Sequence, residues 1–273
     1  MGKQILITGG AGFLGSHLCE KLLKDGCEVL CIDNLFTGER NNIASLLSNP
    51  LFEFMRHDVT FPLYVEVDQI FNMACPASPI HYQYDPVQTT KTSVHGAINM
   101  LGLAKRLNAK IFQASTSEVY GTAQFVPITE NHPLHGQSPY SASKIGADQL
   151  AMSFYNSFGT PVSILRPFNT YGPRQSARAI IPTIITQIAN GYHQIKLGDV
   201  TPTRDFNYVE DESNRDTSIR RNHIRHNIVA PWEGQVPTLI SRFNQLADKA
   251  TMAVQRMNEV ISSLAEKEKS MAS

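Results

Sequence analysis

Short apolar runs alternate along this chain with longer stretches whose apolar residues recur at helical spacing. Ile5 to Thr8, Val29 to Asp33, Phe52 to Asp58, Ile70 to Ala74, Ile111 to Ser115 and Val162 to Arg166 are nearly continuous and rich in β-branched residues. Such runs predict strands covered on both faces. Between them, Leu14 to Lys24, Val87 to Leu107 and Ser141 to Phe158 repeat their apolar residues at a helical period. Strand and helix in alternation predict an α/β fold, a doubly wound parallel sheet.

The pattern changes after about Val209. Residues 211–226 are polar and rich in Arg and Asn, without periodicity, and read as a linker running to about residue 235. From Val236 a third pattern begins, in which Val236, Ile240, Phe243, Ala247, Ala250, Val254, Met257, Ile261 and Leu264 recur at steps of four and three. That spacing is a seam for a partner helix. Pro237 suits a first turn, so a helix is expected from about Thr238 to Lys267, with Phe243, Val254, Met257 and Ile261 buried. The seam can lie on the chain's own core or pair with a second copy. The domains read as 1–209, a linker 210–235 and a helix 236–267.

Composition narrows the partners. The 24 Lys and Arg balance 24 Asp and Glu, so no global field draws the chain to nucleic acid or an anionic membrane. No run reaches the roughly 20 apolar residues of a membrane span. The opening MGKQILITGG reads as a strand and not a signal peptide. Cys19, Cys27, Cys31 and Cys75 form no CxxC pair and sit in apolar patterns, so they read as reduced packing residues and no metal site is expected. These features point to the cytoplasm.

Candidate chemistry starts at the first strand's end. Gly9, Gly12 and Gly15 follow it at three-residue spacing and lead into a helix. In a nucleotide-binding Rossmann turn, the first glycine permits the turn and the second lets backbone approach a diphosphate. The third lets helix and strand pack closely. The helix N-terminus then offers unpaired NH groups to the phosphates. Asp33 ends the second predicted strand, where a carboxylate accepts from ribose hydroxyls and repels a 2'-phosphate, which favours NAD over NADP. Asp58 ends the third, within reach of an adenine or as a helix cap.

Tyr140 and Lys144 lie one helical turn apart. A nearby ammonium is expected to lower the phenol pKa, together with a nicotinamide's positive charge, so that the phenolate can take a proton from an alcohol. Ser115, Thr116, Ser117 and Glu118 close the strand from Ile111, at the sheet's carboxyl end, where ligands of such folds bind. A hydroxyl there can bond a reacting oxygen. Glu118 reads either as a proton relay or as a plain loop carboxylate.

GGAGFLG, STSEVYG, YSASK and RPFNTYGPR together resemble the extended short-chain dehydrogenases of the nucleotide-sugar epimerase/dehydratase family. Residues 1–121 are most similar to UDP-glucuronate decarboxylases, through DNLFTG, HDVTFPLY, ACPASPIHYQYDPVQTTKT and INMLGLAKR. The resemblance implies that Phe13, Leu14, Asp33, Asn34, Thr37, Gly38, Asp58 and Val59 line an NAD site with the three glycines, Tyr140 and Lys144. It places Leu63, Tyr64, Lys91, Asn99 and Asn169 toward a UDP-sugar, and Thr116, Ser117, Glu118, Tyr140 and Lys144 at the reacting carbon. Residues 122–209 resemble instead 4,6-dehydratases of amino sugars. Many of those carry Asp before the glutamate to protonate the departing hydroxyl; here that position is Ser117, a poor general acid, which tilts the reading to decarboxylation. Both groups normally continue past the position of Val209 with a lobe that closes over the sugar, and the stretch from about Glu210 resembles neither. Three functions stay open: decarboxylation of UDP-glucuronate through a 4-keto sugar, 4,6-dehydration, or NAD binding without activity in a chimeric chain whose terminal helix mediates association. A homodimer is expected.

Overall fold

The computed structural model describes residues 2–192, 194–198 and 206–209. Six parallel strands are β1 (Gln4–Thr8), β2 (Glu28–Asp33), β3 (Phe52–Arg56), β4 (Gln69–Asn72), β5 (Lys110–Ala114) and β6 (Val162–Leu165). They form one sheet in the order β3-β2-β1-β4-β5-β6. The order reverses between β1 and β4, the switch point at which such sheets open a crevice beyond their carboxyl ends. The helices are α1 (Phe13–Lys24), α2 (Pro79–Tyr84), α3 (Pro86–Leu107), α4 (Pro139–Phe158) and α5 (Ile180–Ala189). A second, two-stranded parallel sheet joins β7 (Asn169–Tyr171) to β8 (Phe206–Tyr208). The described residues belong to one compact unit, Met1–Val209.

The two-residue period of the strands sorts their side chains onto two covered faces. Leu6, Ile32, Ile70 and Ile111 pack with Met100, Leu101 and Ala104 of α3 and with Ala147 and Ala151 of α4. Ile5, Ile7, Val29 and Cys31 point the other way, onto Cys19 and Leu23 of α1 and onto Ile43 and Leu46 of a short 3-10 turn, Arg40–Leu46. Full burial of each such aliphatic side chain contributes about 1.5–3 kcal/mol. This confirms the expected doubly wound α/β sheet.

Caps fix where the helices begin. Asp85 accepts from the Gln88 N–H and Pro86 takes the first turn of α3, which closes at Asn108 in the left-handed region (φ 54°). Ser138 and Ser141 form a reciprocal capping box that starts α4. The caps therefore begin α3 at Pro86 and α4 at Pro139, earlier than the apolar periodicity does.

The strand ends need correction. β3 stops at Arg56, so Asp58, expected to end that strand, lies in the following loop. There Asp58 Oδ1 accepts from both the N–H and the hydroxyl of Thr60, a turn of the chain's own making. β4, β5 and β6 likewise end one or two residues early; at β4 the chain leaves the ladder for a side-chain partner, as the Met73 and Ala74 N–H groups both donate to Thr8 Oγ1. The expected helix over 236–267 and the linker before it lie outside the described residues.

Candidate functional site

At the β1–α1 corner the backbone turns so tightly that side chains are excluded. Gly9 has φ +68°, and a Cβ there would lie 2.9 Å from Ala74 Cα. A Cβ on Gly15 would run into the Gly9 carbonyl oxygen and stand 2.8 Å from Gly10 Cα; one on Gly12 would lie 3.1 Å from that oxygen. Gly9 and Gly15 are thus required by the turn itself, and Gly12 sits in a tight but less strict position. Gly12 caps α1 without a side-chain bond, and the helix carries no acidic residue in its first turn. Its NH groups and positive dipole end are left for an anion, which fits a dinucleotide's diphosphate. Phe13 and Leu14, half-buried, open the helix beside this turn.

Asp33 stands at the end of β2, buried, and ties the corner together. Its Oδ2 accepts from Ala11 N–H (3.1 Å) and its Oδ1 from Leu35 N–H (2.8 Å). Burial pushes its carboxyl pKa up against the pull of these two bonds. Gly38 passes directly over it, since a Cβ would stand 2.7 Å from Asp33 Oδ2. Each carboxylate oxygen keeps acceptor capacity for a hydroxyl beyond its backbone bond. Asn34 Nδ2 donates to Asp58 Oδ2 (3.1 Å), which brings those two residues together, while Thr37 is exposed nearby in sequence. Burial raises the Asp58 carboxyl, but the Thr60 and Asn34 bonds and the charge of His57 outweigh it and the pKa is lowered.

A ladder of buried polar side chains crosses the carboxyl edge of the sheet. Thr8 Oγ1 donates to Asn72 Oδ1 (2.9 Å), Asn72 Nδ2 to Gln113 Oε1 (2.8 Å) and Gln113 Nε2 to the Ala114 carbonyl (3.2 Å). The same carbonyl accepts from Lys144 Nζ at 3.0 Å. The ladder thus runs from the glycine corner to the lysine of α4.

Tyr140, in the first turn of α4, is only 5% exposed. Lys144 Nζ lies 5.9 Å from its ring centroid. Thr116 caps the short 3-10 turn Ser117–Tyr120 and is also hydrogen-bonded to the Tyr140 phenol. Ser117 is half-buried and its N–H donates to the Pro167 carbonyl; Glu118 is exposed. The expected lowering of the phenol pKa does not occur in the chain by itself. Burial pushes Tyr140 up strongly, Cys75, Glu118 and Tyr82 add to the rise, and only the Thr116 bond opposes it. Desolvation of the phenolate outweighs a lysine whose ammonium is turned to a carbonyl.

Several residues at this edge went unread in the sequence. Tyr82 of α2 stacks on Tyr140 with centroids 4.7 Å apart and planes 6° from parallel. Asp148, fully buried one turn beyond Lys144, accepts from Ser115 Oγ (2.9 Å) and from Arg166 Nε (3.0 Å). Arg166 Nη1 in turn donates to Tyr120 OH at 3.1 Å. The available signal was the YxxxKxxxD spacing, which sets all three residues along one face of α4.

The expected sugar-side residues are spread more widely. Tyr64 is 82% exposed and Lys91 is also exposed. Leu63 packs against the core cluster on the α3 side of the sheet. Asn99 Nδ2 donates to the Val59 carbonyl (2.8 Å), and Val59 fills the space over Gly96, so this pair joins α3 to the loop after β3. Asn169 is exposed on β7. Among the described residues no cluster of metal-ligating side chains occurs. No described helix is long and apolar enough to cross a membrane.

Comparison with known proteins places these features. A family profile described as "GDP-mannose 4,6 dehydratase" matches residues 6–271, past the point where recognisable motifs end in the sequence. "UDP-glucuronic acid decarboxylase 1" of Arabidopsis thaliana is 47% identical over 215 residues, 76% of this chain and 49% of that protein. The match thus spans 48–63% of the length of the curated relatives. Among solved structures, DesIV, a dTDP-glucose 4,6-dehydratase from Streptomyces venezuelae with NAD and TYD bound, has a TM-score of 0.69 at 32% identity, covering 75% of this chain and 68% of that one. A UDP-glucuronic acid 4-epimerase from Bacillus cereus in complex with UDP-glucuronic acid and NAD has a TM-score of 0.67 at 32% identity, covering 75% and 69%.

Proposed function

Because the chain belongs to the GDP-mannose 4,6 dehydratase family, within the extended short-chain dehydrogenases, we propose that it is an NAD-dependent enzyme that decarboxylates UDP-glucuronate to UDP-xylose. The observation that carries this reading is the convergence of Tyr140, Lys144 and Thr116 at the carboxyl edge of β5, with the glycine corner joined to them through the Thr8–Asn72–Gln113 ladder. The named relative supports the substrate, and the two solved relatives that bind NAD support the cofactor.

Gly9, Gly12 and Gly15 with the N-terminus of α1 would hold the diphosphate. Asp33, Asn34, Thr37, Gly38, Asp58 and Val59 would hold the adenosine half, with Phe13 and Leu14 beside it and Tyr140 and Lys144 at the nicotinamide end. NAD would supply two-electron oxidation at the sugar's 4-carbon and its reversal, with a positive charge that favours the phenolate. Tyr140 takes the proton of the 4-hydroxyl, and Lys144 supplies charge beside it. A ketone at that carbon makes the sugar a β-keto acid. The bond to the carboxyl carbon then breaks, carbon dioxide leaves, and the electron pair passes to the carbonyl oxygen, where the Thr116 and Ser117 hydroxyls stabilise it. Carbon 5 next takes up a proton, with Glu118 as relay, and Tyr140 returns its proton as the ketone is reduced. Leu63, Tyr64, Lys91, Asn99 and Asn169 would lie toward the UDP-sugar.

The second reading is 4,6-dehydration, in which Glu118 would remove the proton beside the ketone. It draws support from DesIV, the solved relative that is a dTDP-glucose 4,6-dehydratase. Ser117, where many dehydratases have an acid, favours decarboxylation. Exposed Ile98 on α3 with Met152 and Tyr155 on α4 support a homodimer, and four free cysteine thiols support a reducing, cytoplasmic setting. Mass spectrometry of the nucleotide sugar after incubation with UDP-glucuronate and NAD tests the assignment. Loss of carbon dioxide is expected; unchanged UDP-glucuronate together with loss of water from a parallel UDP-hexose that keeps its 6-hydroxyl would select the dehydratase, and both sugars unchanged would refute both.

A further inference from the structure

The described residues at the Tyr140 edge contain a buried carboxylate, Asp148, that the proposed chemistry does not use. Lys144 is only 4% exposed, and its ammonium donates to one neutral acceptor, the Ala114 carbonyl. An ammonium has three donors and a steep desolvation cost, so a buried one needs an opposite charge close by. From α4 itself it is faced by Tyr140 and Asp148. The end of β5 and the turn after it bring Ser115, Thr116, Glu118 and Tyr120; the end of β6 brings Arg166; Cys75 and Tyr82 close the phenol side. Of the two carboxylates in that set, Glu118 is exposed and acts on the two tyrosines, whereas Asp148 is fully buried.

We propose that Asp148 is a positioning residue: its carboxylate, clamped between Ser115 Oγ and Arg166 Nε, is the counter-charge that keeps the Lys144 ammonium seated on the Ala114 carbonyl beside Tyr140. The inference rests on the reading of Tyr140 and Lys144 as the reacting pair. Asp148 follows Lys144 by four residues, so both lie on one face of α4. Ser115 and Arg166 bond only one of its oxygens, Oδ2; Oδ1 is buried with no hydrogen-bond partner. A group serving only to staple α4 to β6 would gain nothing from a bare, charged second oxygen in the interior, where it costs stability. A charge held there against burial acts on other charges at a distance. Burial raises the Asp148 carboxyl pKa overall, and the Ser115 bond and the charges of Arg166 and Lys144 pull against that rise. Arg166 shares its own charge with Tyr120 and is partly solvated, which leaves Asp148 free to serve two cations.

Nuclear magnetic resonance of the isotope-labelled chain, without cofactor or sugar and in cold, slightly acidic buffer, tests this. Lys144 should give a protected ammonium signal, assigned by its disappearance in Lys144→Met. In Asp148→Asn, which keeps the shape and removes the charge, the signal should vanish or its protons exchange faster by about tenfold or more. Asp148→Glu, which restores the charge, should restore the signal. An unchanged signal in Asp148→Asn would overturn the proposal, as would the lack of a protected signal in the unmodified chain. Should Asp148→Asn fail to fold, Ser115→Ala, which loosens the clamp on Oδ2, is expected to speed exchange, and no change there would overturn it. Because the spectra need no turnover, they stand or fall separately from decarboxylation, which the product analysis decides.

Discussion

The β1–α1 corner and the β5–α4 edge reach the same crevice by opposite means. At the corner the constraint lies in the backbone: Gly9 and Gly15 are required because atoms of Ala74, Gly9 and Gly10 occupy the space of any side chain. At the edge the backbone is ordinary helix and strand, and side-chain charge and burial do the shaping, with Asp148, Lys144 and Tyr140 packed where water is excluded and Arg166 at their margin. A backbone-built site depends on local residue identity. A charge-built site depends on which elements meet, and so on the whole fold.

The largest expected effect separates the two regions directly. Tyr140→Phe keeps the ring that stacks on Tyr82 and removes the proton acceptor, so turnover should fall by on the order of 10²–10⁴-fold with NAD affinity by calorimetry nearly unchanged. A Phe variant with full turnover would remove Tyr140 from the chemistry. At the corner, Gly15→Ala forces backbone apart and should destabilise the fold by about 1–3 kcal/mol while also weakening NAD binding, as read by urea unfolding and calorimetry. Gly102, in α3, is the control: a Cβ there meets nothing within 4 Å. Gly102→Ala should therefore stabilise by roughly 0.5–1 kcal/mol, and a loss would show that glycine sensitivity is not specific to the corner.

The smallest effect is a pair of opposite slopes within the corner. The Asp33 pKa is raised by burial. Its contribution to stability is therefore full below the unfolded pKa and lost as pH rises through the folded one. Asp58 is lowered, so its contribution is present above the unfolded pKa and lost as pH falls through the folded one. In urea unfolding across the carboxylate range, the cost of Asp33→Asn should shrink as pH rises and that of Asp58→Asn as pH falls. Slopes of the same sign would contradict the assignment.

How legible each region was follows from this difference. The glycine spacing and Asp33 at the end of β2 were readable because a tight turn and a strand end are local events. Strand ends were less so: Asp58 reads as ending the strand from Phe52, yet its side chain bonds the turn at Thr60, beyond the end of β3 at Arg56. The YxxxK spacing located Tyr140 and Lys144 correctly on one helix face. The direction of the phenol's shift was not readable, because it is set by burial and by Cys75, Glu118 and Tyr82, which come from distant elements. Ser115 illustrates the same limit. It reads as one hydroxyl among several at the end of β5, but only the packing of α4 turns it inward onto Asp148.

The central claim is that the two regions act together on one sugar, and UDP-glucuronate isotopically labelled at its carboxyl carbon tests it most directly. With NAD and the full chain present, the label should leave the nucleotide sugar and appear as carbon dioxide and bicarbonate, and Tyr140→Phe should keep it in place. Label retained in the nucleotide sugar by a chain that binds NAD would contradict the account.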